Sequence, residues 1–375
     1  MEKSERVAIA KRILDLIARD EPEYGEESWE TDVDRFTDPD RFRVEKQKLF
    51  LERPQLIALT ADLPDPGDYY ATDIAGLPIL IVRGKDGVAR AFLNACRHRG
   101  VKLAEGCGHG TGFTCPYHGW SYDNEGALVG VPSRQAFEAS QLRGLIALPT
   151  VEAIGAIVVH PQPDGHLDFD DFLGPMKGVL QDFDMAAYEL LSAYREPARV
   201  NWKHTADGGL EAYHAPVLHG KSVGKGALKQ LLHLQFGMHH AMISPYPNIA
   251  ALNDMPEAEW PHSCYFTSTN VIFPNTTIGG GGPMLFLLRG EPRDTPGLVD
   301  YILRIYGKRD ASPADKAIQE AAVRITRQVA LEEDLPAQLS TQAMMEAGAA
   351  RSIVFGKREI CLTRMHKAYD ALIAS

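Results

Sequence analysis

Cys96-Arg97-His98-Arg99-Gly100 and Cys115-Pro116-Tyr117-His118-Gly119-Trp120 are the two runs on which the reading of this chain turns. Each brings a thiol and an imidazole together, as Cys-x-His and Cys-x-x-His, with sixteen residues between His98 and Cys115. Two cysteines and two histidines suit a zinc ion, or a 2Fe-2S cluster in which one iron takes the thiolates and the other the imidazoles. Structural zinc sites tend to use tighter Cys-x-x-Cys pairs, which this stretch lacks. Cys107-Gly108-His109 repeats Cys-x-His inside the span. It lies too close to Cys115 to frame an opposing loop, and no Arg-Gly follows it.

The two runs, with their Arg-Gly and Gly-Trp flanks, resemble the cluster-binding fingerprint of Rieske iron–sulfur domains. On that resemblance Cys96, His98, Cys115 and His118 bind the 2Fe-2S cluster. Replacing two thiolates by imidazoles makes the cluster less negative and raises its potential above that of all-cysteine clusters. A histidine ligand also keeps its second ring nitrogen for an outward hydrogen bond.

Working outward, the surroundings read as short strands. Ile79–Arg83, the turn Gly84-Lys85-Asp86-Gly87 and Val88–Leu93 form a hairpin ahead of the first run. Ser121–Leu128 reads as a strand and turn, and Ile154–Val159 as a closing strand. We therefore place a β domain over 43–163, ending near Pro161-Gln162-Pro163-Asp164-Gly165. Residues 1–42 are expected to form a helix over 4–19, capped by Ser4, and an acidic connector. Residues 164–375 mix helical stretches, strand-like runs between 262 and 289, and a long helical pattern from Ser312-Pro313-Ala314-Asp315 to about Met345. Gly279–Gly282 lacks the Lys-Ser/Thr of a phosphate loop and reads as a hairpin connection. The fold class is α+β.

The 375 residues, with 39 basic and 50 acidic side chains and a formal charge of -11, argue against phosphate-driven nucleic-acid binding. No apolar run reaches the length of a membrane span, and no apolar signal-peptide core follows Met1. Five cysteines without a disulfide framework fit a reducing, cytoplasmic setting.

A second constellation lies in Asn201-Trp202-Lys203-His204-Thr205-Ala206-Asp207-Gly208-Gly209-Leu210-Glu211-Ala212-Tyr213-His214-Ala215-Pro216-Val217-Leu218-His219. On a regular helix Glu211 and His214 share a face, whereas His214 and His219 diverge by about 140°. Pro216 excludes a regular helix, and a kink or local widening is expected to bring His219 round. Two histidines need a carboxylate to complete a non-haem iron site with open positions. Glu332, Glu333 and Asp334 compete for that role, and the residues alone leave the choice open.

The order of these features resembles the terminal oxygenase (alpha) component of Rieske non-haem iron oxygenases. The resemblance implies a Rieske β domain followed by a helix-grip catalytic domain, an antiparallel sheet around a helix. It implies His214, His219 and Asp334 as ligands of a mononuclear Fe(II), and Glu211 as the acid bridging the two metal centres. It further implies head-to-tail homotrimers in which His118 of one subunit meets Glu211 of the next. Electrons come from NAD(P)H through a reductase, with or without a ferredoxin, and O2 is the co-substrate. The substrate is a small organic, expected to be aromatic. Mono-oxygenation, as hydroxylation or demethylation, is the favoured reaction, on the compact chain without a small β subunit. Cis-dihydroxylation and a redox carrier without oxygenase activity are the alternatives.

Two features depart from the family pattern. Asp207-Gly208-Gly209 precedes the bridging acid, and two glycines weaken a helix by ~1 kcal/mol each. Asp207 is a candidate to support the bridge or the metal. Gln338 stands where the family often has an acid. His239, His240, Phe266 and Phe273 are candidates for the substrate pocket.

Overall fold

The computed structural model describes residues 1–225 and 228–374. They form two compact units: Lys46–Phe172 with Met185–Glu189, and Met1–Glu45 with Leu173–Asp184 and Leu190–Ser375.

The smaller unit is built from three antiparallel sheets. Five strands run in the order Ala147–Leu148, Ala89–Leu93, Leu77–Arg83, Asp68–Ile74 and Cys107–His109. Three more run Thr150–Ala153, Ala156–Val159 and Gln55–Leu59, and a third set Gly112–Thr114, Ser121–Asp123 and Leu128–Gly130. Leu80, Val82, Phe92 and Phe113 bury a core beneath the loops that carry the thiols. The hairpin expected over 79–93 is Leu77–Arg83 against Ala89–Leu93, paired Ile79↔Leu93 to Arg83↔Ala89. Arg83 is tied to Glu152 at 2.8 Å by two nitrogens, which joins the strand Thr150–Ala153 to the hairpin.

The larger unit has a seven-stranded antiparallel sheet ordered Tyr188–Ala198, Val299–Lys308, Met284–Pro292, Thr276–Gly281, Phe266–Ile272, His239–Pro245 and Leu232–Phe236. The helix Trp202–Leu210 packs on one face, close enough that a Cβ at Gly290 would meet Thr205 Oγ1 at 2.6 Å. The C-terminal helix Ile360–Ala374 lies by the far strands, with Cys361 Sγ 3.7 Å from Ala241 O. Tyr369 of that helix packs on Trp202, ring centroids 5.1 Å apart, and donates to Pro274 O at 2.5 Å. Gly279–Gly281 lie within the sheet rather than in the loop. The register Gly281↔Met284 narrows the turn to Gly282-Pro283, with Gly282 at φ +65, where a side chain is disfavoured.

Three local expectations change. The first helix runs Lys3–Arg19, one residue ahead of Ser4, and the Glu5 carboxylate accepts from Glu2 N–H at 2.9 Å in place of a serine cap. The 20–39 connector contains the strand Trp29–Asp32, which pairs with Ser352–Phe355, a partner that local patterning does not reveal. The long pattern after Ser312 is two helices, Pro313–Arg327 and Leu335–Glu346, around a π-helical stretch Gln328–Asp334. Ser312 does cap it, accepting from Asp315 N–H at 3.1 Å.

The N-terminal 45 residues belong to the larger unit. The reason lies in buried polar contacts. Lys203 Nζ donates to Glu45 Oε2 at 2.5 Å and to Arg35 O at 2.6 Å, with both charged side chains out of water. Trp202 Nε1 donates to the same Glu45 oxygen at 3.1 Å. Asn201 caps the helix by accepting from Lys203 N–H at 3.0 Å, and its amide donates to Phe36 O and Pro296 O. Asn201-Trp202-Lys203 is therefore an anchor for the helix that leads to Glu211 and His214.

Candidate metal centres

The two cysteine–histidine runs fold into equivalent loops. In each, the glycine four residues after the cysteine donates its N–H to the cysteine carbonyl: Gly100 to Cys96 at 2.8 Å, Gly119 to Cys115 at 3.0 Å. Both glycines sit at positive φ, +78 and +71, which explains the residue type at the same place in both runs. Each cysteine N–H then closes its loop, to Val101 O at 2.9 Å and Trp120 O at 2.8 Å. Asn94 braces the first loop, accepting from Leu103 and Ala104 N–H and donating to Ala104 O.

The loops bring the four candidate ligands into one place. Cys96 and Cys115 are buried free thiols in one cluster with Trp120 and Tyr122. The His98 and His118 rings meet edge to face at 4.5 Å. Trp120 stacks on His98 at 5.1 Å, and Tyr122 Oη lies 3.4 Å from Cys96 Sγ while accepting from Arg97 N–H at 2.9 Å. Among the described residues His98 Nδ1 is buried with no hydrogen-bond partner. A buried orphan imidazole nitrogen beside two buried thiols suits a group that takes two sulfur and two nitrogen donors. Cys107 and His109 are exposed on a strand instead, where His109 Nδ1 pairs with Asp68 at 2.9 Å.

The second constellation is built differently. The helix ends at Leu210, and Glu211 is extended at φ -134 and ψ 151. A separate short helix, Ala215–Leu218, follows, with His214 at its N-cap, Pro216 in its first turn and His219 at its C-cap. The chain breaks between Glu211 and His214, which replaces the expected single kinked helix, and the two histidines stand at the two caps of the short helix that follows. Glu211 consequently reaches His214 as a loop residue. Its Oε2 accepts from the Tyr213 and His214 backbone N–H groups, and its Oε1 pairs with His214 Nδ1.

His214 Nε2 and His219 Nε2 come within 3.1 Å of each other, and Asp334 Oδ1 lies 3.6 Å and 3.1 Å from them. One ligand atom from each of the three lies within 4.8 Å of the others. Two imidazoles and one carboxylate on one side fit a non-haem iron that keeps open positions. Burial pushes His214 down, but Glu211, Asp334 and Glu359 outweigh it and hold the imidazole above its ordinary pKa. The field at this point favours a cation.

Of the three competing acids, Asp334 faces both histidines. Glu333 takes a place that the sequence did not suggest. Its Oε2 lies 2.6 Å from His219 Nδ1 and accepts from Ser222 Oγ at 2.7 Å, while Gln328 Nε2 donates to Oε1 at 2.8 Å. Those bonds from Ser222 and His219 hold the Glu333 carboxyl below its usual range. Each histidine is thus backed by an acid on the nitrogen that faces away from its partner.

Asp207 is not brought to this group. It accepts from His366 Nε2 at 2.8 Å, and Arg35 Nη1 lies 3.3 Å from His366 Nδ1. Arginine only donates, so Nδ1 accepts and Nε2 carries the proton. Among the four pocket candidates, Phe266 carries Arg6 over its ring at 4.4 Å, toward the N-terminal helix. His239 Nδ1 accepts from Phe273 N–H at 3.0 Å, and the Phe273 ring packs on Tyr369 at 5.7 Å. His240 is fully buried, and neither ring nitrogen has a partner among the described residues.

Comparison with known proteins adds an independent line. Residues 53–151 match the model of the Rieske [2Fe-2S] domain, and 185–375 that of the ring hydroxylating alpha subunit (catalytic domain). The chain is 30% identical over 200 residues to benzene 1,2-dioxygenase subunit alpha of Pseudomonas putida, covering 51% of this chain and 44% of that protein. It is 29% identical over 199 residues to the carnitine monooxygenase oxygenase subunit of Escherichia coli (strain K12), covering 52% and 53%. The matched stretch is about half the length of these curated relatives. The fold is that of naphthalene 1,2-dioxygenase from Rhodococcus sp. (TM-score 0.77, 20% identity, 98% of each chain). It is also that of a quaternary ammonium Rieske monooxygenase (TM-score 0.75, 21% identity, 91% of this chain and 95% of that one).

Proposed function

This chain belongs to the ring-hydroxylating alpha-subunit family, with a Rieske domain ahead of its catalytic domain, and from that premise we propose that it is a terminal oxygenase that inserts oxygen into a small organic substrate. The observation that carries this reading is the convergence of His214, His219 and Asp334, with Glu211 and Glu333 behind the two imidazoles. When bound, the 2Fe-2S cluster and the mononuclear iron supply single electrons and activation of O2.

The protein's own groups prepare that chemistry. Cys96, His98, Cys115 and His118 would hold the cluster, and His214, His219 and Asp334 would hold the iron. Glu211 and Glu333 each accept the Nδ1 proton of a histidine, which turns Nε2 inward as a lone-pair donor and makes it more basic. Glu211 keeps its other oxygen on two backbone N–H groups, so its carboxylate is aimed before any partner arrives.

In this reading His118 of one subunit would meet Glu211 of the next, and that contact would connect the two metal sites. Tyr213 and Val217, which flank His214, are 64% and 88% exposed, an apolar rim suited to a subunit contact. Inter-subunit electron transfer is described for a quaternary ammonium Rieske monooxygenase of the same fold. A reductase, with or without a ferredoxin, supplies the electrons. No helix among the described residues is long and apolar enough to cross a membrane.

Mono-oxygenation is the first reading, and similarity to benzene 1,2-dioxygenase favours cis-dihydroxylation as the second. The test combines iron-loaded protein, a reductase and a panel of aromatic acids, methyl ethers and quaternary amines. Oxygen uptake with a diol, an alcohol or released formaldehyde separates the two reactions. Asp334→Ala is expected to lose the mononuclear iron and oxygen uptake while the cluster absorbance stays. Full activity in that variant would falsify the ligand assignment.

A further inference from the structure

The two glycines that depart from the family pattern bring the helix Trp202–Leu210 against two polar side chains. A Cβ at Gly209 would lie 2.8 Å from Thr277 Cγ2 and 3.2 Å from its Oγ1. A Cβ at Gly208 would lie 3.1 Å from Gln338 Nε2. Thr277 is fully buried and its hydroxyl has no partner among the described residues; the same holds for the buried Oε1 of Gln338. A buried polar group without a partner forfeits the hydrogen bonds it had in water, so two of them beside one helix end call for a ligand.

Their position ties them to the iron ligands. Gln338 lies four residues after Asp334, at the start of the helix Leu335–Glu346, and so projects from the same side. Gly209 is two residues before Glu211 and five before His214. On the sheet, Thr277 pairs with Leu288 on one side and Val271 on the other, and Val271 pairs with His240. Directly opposed residues point to one face. His240, with both ring nitrogens unpartnered, therefore shares the face of Thr277, two strands away. Leu288 and its neighbour Phe286, two residues back on the same strand, belong to an apolar cluster with Leu331.

We propose that Thr277, Gln338 and His240 form the polar side of the substrate site, and that the substrate is a neutral, largely apolar molecule carrying a hydroxyl group, which can accept from Thr277 and donate to the Gln338 amide oxygen. This rests on the reading of His214, His219 and Asp334 as the iron centre. The apolar part packs on the side of Leu288 and Phe286, and the polar group satisfies the unpartnered hydroxyl and amide oxygen. An anionic substrate is disfavoured, because Glu211, Glu333 and Asp334 surround the histidines. Burial holds His240 neutral, with its pKa lowered to about 3, so it offers one donor and one acceptor rather than a charge.

The probes are 1-indanol and indane, which differ by one hydroxyl, with their affinities for the holoenzyme measured by calorimetry. The variants are Thr277→Val and Gln338→Met, with iron content and circular dichroism recorded for each. The ratio of the indane to the 1-indanol Kd is expected to fall roughly fivefold or more in each variant, the worth of one hydrogen bond. A ratio unchanged in both folded variants overturns the proposal, and so does a wild-type enzyme that binds neither probe. Trapped water as the only partner of these groups gives that unchanged ratio. Oxygen uptake is measured in parallel. If the ratio falls as expected while no oxygen is consumed with 1-indanol, the polar site stands and the oxygenase reading fails. If oxygen is consumed but the ratio does not move, the reverse holds.

Discussion

Cys96–Gly100 and Cys115–Trp120 gather four candidate ligands from one short stretch, on two loops that repeat the same glycine-closed turn. The group at His214 and His219 draws Glu333 from 114 residues further along, together with the neighbouring Asp334. The first site is specified by local backbone conformation, since each loop closes its own hydrogen bonds. The second exists only when the helix Trp202–Leu210 and the π-helical stretch Gln328–Asp334 are held in register by the rest of their unit. Damage should therefore spread differently in the two: ligand loss confined to the loops in one, and sensitivity to distant scaffold contacts in the other.

The largest effect tests the local site. Cys115→Ser is expected to abolish the cluster's visible absorbance while mononuclear iron still binds; retained cluster colour would remove Cys115 from the ligand set. The scaffold comes next. Lys203→Met leaves the buried Glu45 with Arg41 as its remaining charged partner and is expected to cost about 3 kcal/mol, the lower end for breaking a buried pair, seen as a lowered denaturation midpoint. A change under about 1 kcal/mol would mean that the anchor is dispensable.

Glu333→Gln sharpens the comparison at a single contact. Removing the carboxylate behind His219 is expected to weaken mononuclear iron about 10–100-fold, read by chelator competition, with the cluster unaffected. Unchanged iron affinity would reduce Glu333 to a surface acid. Glu211→Gln is expected to keep both metals and slow electron delivery in single-turnover measurements; a normal rate would end the bridge assignment.

The smallest effect is the response to acid. Burial holds His204 down to about 4, against 6.5 for the unperturbed group, and Phe36 stacks on its ring at 4.5 Å. The unfolded chain takes up this proton as the pH falls through 6.5, and the folded chain only near 4. Its contribution is thus fully present above 6.5 and is lost between 6.5 and 4, by about 1 kcal/mol at pH 5.5. Urea midpoints of His204→Leu should fall less between pH 7 and 5.5 than those of the wild type. An equal fall in both would place the acid sensitivity elsewhere.

Much of the fold near the cluster was legible. The apolar run Ile79–Val82 and the Gly84–Gly87 turn mark the hairpin that the structure contains, and the first thiol–imidazole run follows where the chain leaves it, while the second lies between Gly112–Thr114 and Ser121–Asp123. The strand Trp29–Asp32 was hidden, because its partner Ser352–Phe355 lies at the other end of the chain. The helix after Ser312 read as one unit because apolar spacing does not reveal a change of winding. That change sets which way each acid points: over Gln328–Asp334 the turn widens, and neighbouring carboxylates face different neighbours.

By itself the sequence determined the ligand types, their pairing into two constellations, and that Pro216 excludes one regular helix running through Glu211, His214 and His219. Those are properties of residue chemistry and of backbone conformation over a few residues. Only the tertiary structure decided that Asp334 faces the histidines while Glu333 backs His219, that Asp207 is bound to His366, and that Gly208 and Gly209 lie against Gln338 and Thr277. The reason is physical: a side chain's direction at a helix end depends on what the helix packs against, and those partners come from strands and helices far away in the chain.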